Sequence, residues 1–256
     1  MNLFFRQTGT TGQPLLILHG IFGSSDNWLT ISKSIAEQGF AVYALDQRNH
    51  GRSPHDAAFD YEHLAADLRG FIQQQNLHKP ILLGHSMGGK TVMQYAMNYP
   101  ETFSKLVIVD IAPKFYPVHH HEILKGLAAI PLQTLKSRPE ADEILSRYEP
   151  NLGVRQFLLK NLYRSETGGF AWRINLPVIE RHIQLVGNEL ANQRAVSEPT
   201  LFVRGENSNY VLDDDIPAIL ALFPNATIDT VAGAGHWVQA EQPEGFMDSL
   251  MRFLQE

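Results

Sequence analysis

Short runs of consecutive apolar residues recur along the chain: Leu15-Leu16-Ile17-Leu18, Ala41-Val42-Tyr43-Ala44-Leu45, Ile81-Leu82-Leu83, Leu106-Val107-Ile108-Val109, Thr200-Leu201-Phe202-Val203 and Thr227-Ile228-Asp229-Thr230-Val231. Each has the length of a strand. Between them lie stretches with helical spacing of apolar positions, near residues 28–38, 61–75, 89–98, 213–222 and 244–254. Strands that read as nearly unbroken apolar runs are buried on both faces, which predicts an α/β fold with a mostly parallel sheet covered by helices on either side. Right-handed crossovers then place an active site at the carboxyl ends of the strands.

The interval 115–196 breaks this rhythm. It carries Pro117, Pro131, Pro139, Pro150 and Pro177, helix-like pieces near 122–129, 141–148 and 154–163, and no clear strand. The expected organisation is a core from 1–114, a helical lid inserted over the carboxyl edge from 115–196, and the rest of the core from 197–256. The competing expectation is that 115–196 simply continues the α/β core.

Composition narrows the function classes. The 256 residues are 44% hydrophobic, enough for one large core with a lid. A formal net charge of −6, without a basic patch, argues against nucleic acid as a partner. No apolar stretch reaches bilayer-spanning length, and the start, Met1-Asn2-Leu3-Phe4-Phe5-Arg6, does not read as a signal peptide. There is no cysteine, so disulfides, thiolate metal sites and cysteine nucleophiles are excluded together, and a cytoplasmic location is expected.

The densest chemical signal is Gly84-His85-Ser86-Met87-Gly88, directly after the strand run 80–83 and directly before a helical stretch. A serine between glycines at a strand-to-helix turn has the form of a nucleophile elbow. Gly84 and Gly88 permit the close approach of strand and helix, and Ser86 is expected to project from the tip in a strained backbone conformation. A serine hydroxyl needs a neighbouring base to become a nucleophile. The Met87 amide, at the start of the helix, is a free donor suited to an oxyanion hole. His85 is expected to point to the opposite face from Ser86 and to serve packing or support.

Four motifs in order complete the pattern: His19-Gly20-Ile21-Phe22-Gly23-Ser24, Asp46-Gln47-Arg48-Asn49-His50-Gly51-Arg52-Ser53, Gly84-His85-Ser86-Met87-Gly88-Gly89 and Gly233-Ala234-Gly235-His236-Trp237. On these the chain resembles the α/β-hydrolases over nearly its full length. The segments Arg48-Asn49-His50-Gly51 and Gly205-Glu206-Asn207-Ser208-Asn209-Tyr210-Val211 are similar to a small subgroup of bacterial esterases and their mitochondrial abhydrolase-domain relatives. The resemblance implies His236, in a glycine-flanked loop before the final helix, as the base for Ser86. It implies the Ile21 amide as the second oxyanion donor, with Phe22 as the alternative.

The acid is ambiguous at this stage. Many relatives carry it after the next-to-last core strand, where this chain has Arg204-Gly205-Glu206-Asn207-Ser208, and the matching position is Ser208. A neutral hydroxyl does not replace a carboxylate beside an imidazolium. Some α/β-hydrolases carry the acid one core strand earlier, which here is Asp110. Glu206 competes, and a dyad without an acid is the third option. Asn207 and Ser208 then become candidates to hydrogen-bond the acid or the histidine loop.

Other groups take structural readings. Arg48 and Ser53 are expected to tie the loop after the 41–45 strand to neighbouring backbone. His119-His120-His121 reads as a lid loop near the entrance rather than a metal site. Arg48, Lys114, Arg173, Arg181 and Arg204 are candidates to touch an anionic substrate tail. The reading is a serine hydrolase of carboxylic esters. Acyl-CoA thioesters are a further substrate class that the resemblance implies. Neither cofactor nor metal is expected, the partner is a small acyl ester or thioester, and the chain is a monomer or homodimer. The alternatives are C–C bond hydrolysis, aminopeptidase or lyase chemistry on the same residues, a low-turnover ligand receptor, and an interaction module that uses the lid.

Overall fold

The computed structural model describes residues 1–166 and 168–255. The chain runs β1 (Phe5–Thr8), β2 (Pro14–Leu18), α1 (Leu29–Glu37), β3 (Ala41–Leu45), α2 (Tyr61–Gln74), β4 (Ile81–His85), α3 (Met87–Asn98) and β5 (Leu106–Val109). It continues with α4 (His121–Ala128), α5 (Arg138–Leu145), α6 (Leu152–Leu159), β6 (Leu162–Arg164), β7 (Phe170–Trp172) and α7 (Leu176–Gly187). It closes with β8 (Thr200–Gly205), α8 (Ile216–Leu222), β9 (Ala226–Val231), α9 (Val238–Glu241) and α10 (Pro243–Gln255).

Among the described residues, seven strands form one sheet in the order β1-β3-β2-β4-β5-β8-β9. All neighbouring pairs are parallel except β1 with β3, where Phe5 lies opposite Leu45. The strand period of two sorts the apolar runs onto the two faces. Leu16, Leu18, Leu82, Ile108 and Phe202 pack under α2, α3 and the 115–196 segment. Leu15, Ile17, Leu83, Val107 and Val203 pack against Trp28, α1 and α10. Both sets are almost fully buried, which is why these strands read as unbroken apolar runs.

Two features escape the apolar pattern. β1, Phe5-Arg6-Gln7-Thr8, is a partly exposed edge strand with mixed polarity. The 115–196 interval, expected to be helical throughout, contains the antiparallel hairpin β6–β7, with Leu162 opposite Trp172. The helix expected over 154–163 therefore ends at Leu159. Strands of three residues are too short to show alternation, so the helical spacing just before them runs on in the sequence without a visible break. No helix among the described residues is long and apolar enough to cross a membrane.

Candidate active site

Ser86 sits between β4 and α3 with φ 53° and ψ −118°, a left-handed conformation that a non-glycine residue holds only under constraint. The constraint is steric closeness on every side. A Cβ on Gly84 would lie 2.2 Å from the Gly88 carbonyl oxygen, and one on Gly88 would lie 2.3 Å from that of Leu18. The Ser86 amide donates to Val109 O at 3.0 Å, which fixes the turn to the end of β5.

Asp110 leaves the sheet at the neighbouring strand end, also with positive φ, at 51°. It is fully buried. Its Oδ2 accepts from His236 Nδ1 at 2.7 Å and from the Ser208 hydroxyl, and its Oδ1 accepts from the Gly205 amide at 3.1 Å. This pairing places the imidazole proton on Nδ1 and leaves Nε2 as an acceptor. Ser208, at the other candidate acid position, thus serves as a hydrogen-bond donor to the Asp110 carboxylate. Glu206 lies elsewhere: its Oε2 accepts from the Gly233 amide at 2.8 Å and braces the loop that carries His236. The Asn207 amide adds a bond to Ala234 O in the same loop.

His236 is held from four directions. Besides Asp110, Tyr210 stacks on its ring at 3.8 Å between centroids and 17° between planes. His85 approaches at 4.7 Å between centroids and donates from Nε2 to the His236 carbonyl at 2.9 Å. Glu241 accepts from the amides of Gly235 (2.8 Å) and Trp237 (3.1 Å). His85 therefore does not turn away from the site as strand alternation suggests; it sits beneath the His236 loop. The sequence carries little signal for Tyr210 and Glu241, because their contacts form only when β8 and β9 lie side by side.

Ser86 and His236 border one cavity of ≈700 Å³. No hydrogen bond joins the two side chains among the described residues, and such contacts tighten when substrate fills the site. The first oxyanion candidate, the Met87 amide, opens α3. The second is Ile21: no bond from its amide is found among the described residues, whereas the Phe22 amide is taken up by His50 Nε2 at 3.2 Å. The loop bearing Ile21 is pinned by His19, which accepts from the Gln47 amide at 3.0 Å and donates to Gly20 O at 2.8 Å. Burial lowers the pKa of His19 to about 4 and those of His50 and His85 to about 3, so all three are neutral scaffolding at neutral pH.

Arg48 donates to Asp67 at 2.6 Å and to Ala58 O at 3.0 Å, and Ser53 donates to Asp46 O at 2.5 Å, so both tie loops as expected. Of the five basic residues considered for an anionic tail, none borders a cavity at Ser86. Lys114 pairs with Asp215 and Arg204 with Asp213, and Arg173 lies over the Tyr163 ring. Lys160 is the basic side chain that borders the large cavity. His119 and His120 stack at 4.3 Å beside Ser86. No group of three or more metal-ligating side chains is arranged for an ion among the described residues.

Residues 13–135 match the family model described as alpha/beta hydrolase fold. The sn-1-specific diacylglycerol lipase ABHD11 of Mus musculus is 39% identical over 94% of this chain and 80% of its own length. Esterase YbfF of Escherichia coli is 36% identical over 98% of this chain and 96% of its own. Among solved structures, a marine microorganism esterase superposes with a TM-score of 0.95 at 43% identity, covering 98% of both chains. With its mostly parallel sheet, its strained serine turn and relatives that match over 94% or more of its length, the chain belongs to the alpha/beta hydrolase fold family.

Proposed function

We propose that the chain hydrolyses carboxylic esters through an acyl-enzyme on Ser86, with His236 as base and Asp110 as the acid. The observation that carries this reading is the buried Asp110 carboxylate bonded to His236 Nδ1 at 2.7 Å, with His236 bordering the same cavity as a serine held at positive φ. His236 Nε2 takes the Ser86 proton as the hydroxyl attacks the acyl carbon. The Met87 and Ile21 amides stabilise the oxyanion. The alkoxide leaves with the proton from His236, and water repeats the sequence on the acyl-enzyme. The names of the relatives, esterase and diacylglycerol lipase, support ester hydrolysis as the chemistry.

Residues 115–196 act as the cap, because α4 and α6 supply Ile123, Val154 and Phe157 to the cavity wall above Ser86. Acyl-CoA thioesters present the same acyl carbon to the same serine and form the second substrate class. The absence of cysteine supports a cytoplasmic setting. The test is turnover of p-nitrophenyl esters and acyl-CoAs by wild type and Ser86→Ala. Loss of turnover in the variant supports the reading. Undiminished turnover overturns it.

A further inference from the structure

Two cavities meet at Ser86, and they differ in size, polarity and contact with the base. The first has a volume of ≈30 Å³ and is lined by Tyr61, Ile111, Tyr116, Val118 and Val186, together with Ile21 and Met87. The second, ≈700 Å³, is bordered by His236, by the apolar rings of Phe157 and Trp237, and by the polar side chains of Glu149, Asn151 and Lys160. Ser86, Ile21, His119, His120 and Tyr210 border both, whereas His236 borders only the large one.

The chemistry of the proposed acyl-enzyme orients a substrate in this pair. At the tetrahedral stage the oxyanion lies at the Ile21 and Met87 amides, and the leaving oxygen must lie within reach of His236 to receive its proton. The leaving group therefore extends on the side that His236 borders. The acyl chain takes the remaining direction, into the small cavity. Resting on that reading of the site, we infer that the enzyme selects short acyl groups carried on bulky, amphiphilic alcohols.

The small cavity is closed by bonds that resist expansion. Tyr61 Oη donates to Val186 O at 2.7 Å, and the Tyr116 amide donates to Gly187 O at 2.8 Å. A Cβ on Gly187 would lie 2.2 Å from Tyr116 O, so these two walls already touch. Behind them the fully buried Lys90 donates from Nζ to Lys114 O (2.8 Å), Gly187 O (3.2 Å) and Asn188 O (2.5 Å), joining the start and end of the cap to α3. An acyl chain that overfills this space must break such contacts, and a single misfitted methylene in a pocket already costs roughly 10–200-fold in selectivity.

The experiment measures kcat/KM on two series. In one, p-nitrophenol is fixed and the acyl group runs from acetyl through butanoyl and octanoyl to dodecanoyl. In the other, acetyl is fixed and the alcohol, of similar acidity throughout, runs from ethanol through 1-hexanol to triethylene glycol monohexyl ether. The inference predicts a fall of at least about 100-fold from butanoyl to octanoyl, with the hexyl and glycol-ether acetates turned over better than ethyl acetate. Val118→Ala moves the acyl optimum to a longer chain. Val118→Trp lowers butanoyl turnover far more than acetyl turnover. Octanoyl and dodecanoyl esters cleaved as well as acetyl esters, with Val118 variants leaving the acyl profile unchanged, would overturn the inference. Turnover of neither series above that of Ser86→Ala would instead overturn the ester hydrolase reading on which the inference rests.

Discussion

Lowering the pH from 7 to 5 should destabilise this protein through three buried histidines, His19, His50 and His85. His19 accepts from the Gln47 amide at Nε2 while its Nδ1 donates to Gly20 O. His50 accepts from the Phe22 amide at Nε2 while its Nδ1 donates to Arg48 O at 2.9 Å. A proton added at either Nε2 would face an N–H group. His85 is equally buried and lies close to His236. Their pKa values fall from 6.5 to about 4, 3 and 3, first because burial disfavours the charged ring. The unfolded chain, with ordinary imidazoles, then binds more protons than the native state throughout this pH range. Stability is complete above about pH 6.5 and is lost as pH falls toward the folded values. Between pH 7 and 5 each ring removes about 2 kcal/mol and the three together about 6 kcal/mol. That is comparable with the whole stability of many domains, about 5–15 kcal/mol. Urea titrations followed by tryptophan fluorescence at the two pH values measure the difference directly. His50→Gln, which keeps one donor and one acceptor without a titrating ring, should reduce the pH-dependent loss by about 2 kcal/mol. A wild-type loss below about 1 kcal/mol would refute the reasoning.

Asp110→Asn should lower kcat by about 10⁴-fold, since the amide no longer fixes the His236 tautomer, while Glu206→Gln leaves kcat within about threefold; steady-state kinetics with p-nitrophenyl acetate compares the two. Ser208→Ala removes one donor to the Asp110 carboxylate and should reduce kcat by about tenfold at unchanged KM. Lys90→Met strips the donor from three carbonyls that join the cap to α3, with an expected loss of about 3 kcal/mol in urea denaturation and faster proteolytic cutting within residues 115–188.

The core sheet was legible because its strands are buried on both faces: 41–45 and 106–109 were read at the limits the structure shows, and the others within a few residues. β1 was not, because an edge strand with one half-wet face need not be apolar. Hairpin β6–β7 was hidden by its length, within an interval whose pattern shows helical pieces and no clear strand. At the site, the turn around Ser86 and the glycine-flanked His236 carry local signatures, since both need backbone freedom at fixed offsets. The acid has none. Asp110 and Glu206 both follow strands, and only the side-by-side packing of β5 and β8 brings Asp110 to His236 and turns Ser208 onto it. The same holds for Tyr210 and Lys160, whose positions against the cavity depend on loops from different parts of the chain. The basic residues singled out for an anionic tail were candidates by charge alone, and the fold gives Lys114 and Arg204 carboxylate partners, Asp215 and Asp213.

The most direct test of the account is covalent. Wild-type protein treated with a fluorophosphonate and digested should carry one phosphonyl adduct, on the peptide containing Ser86, with ester turnover lost in proportion to labelling. Full ester turnover in protein whose Ser86 is phosphonylated, or labelling that maps to another residue, would contradict it.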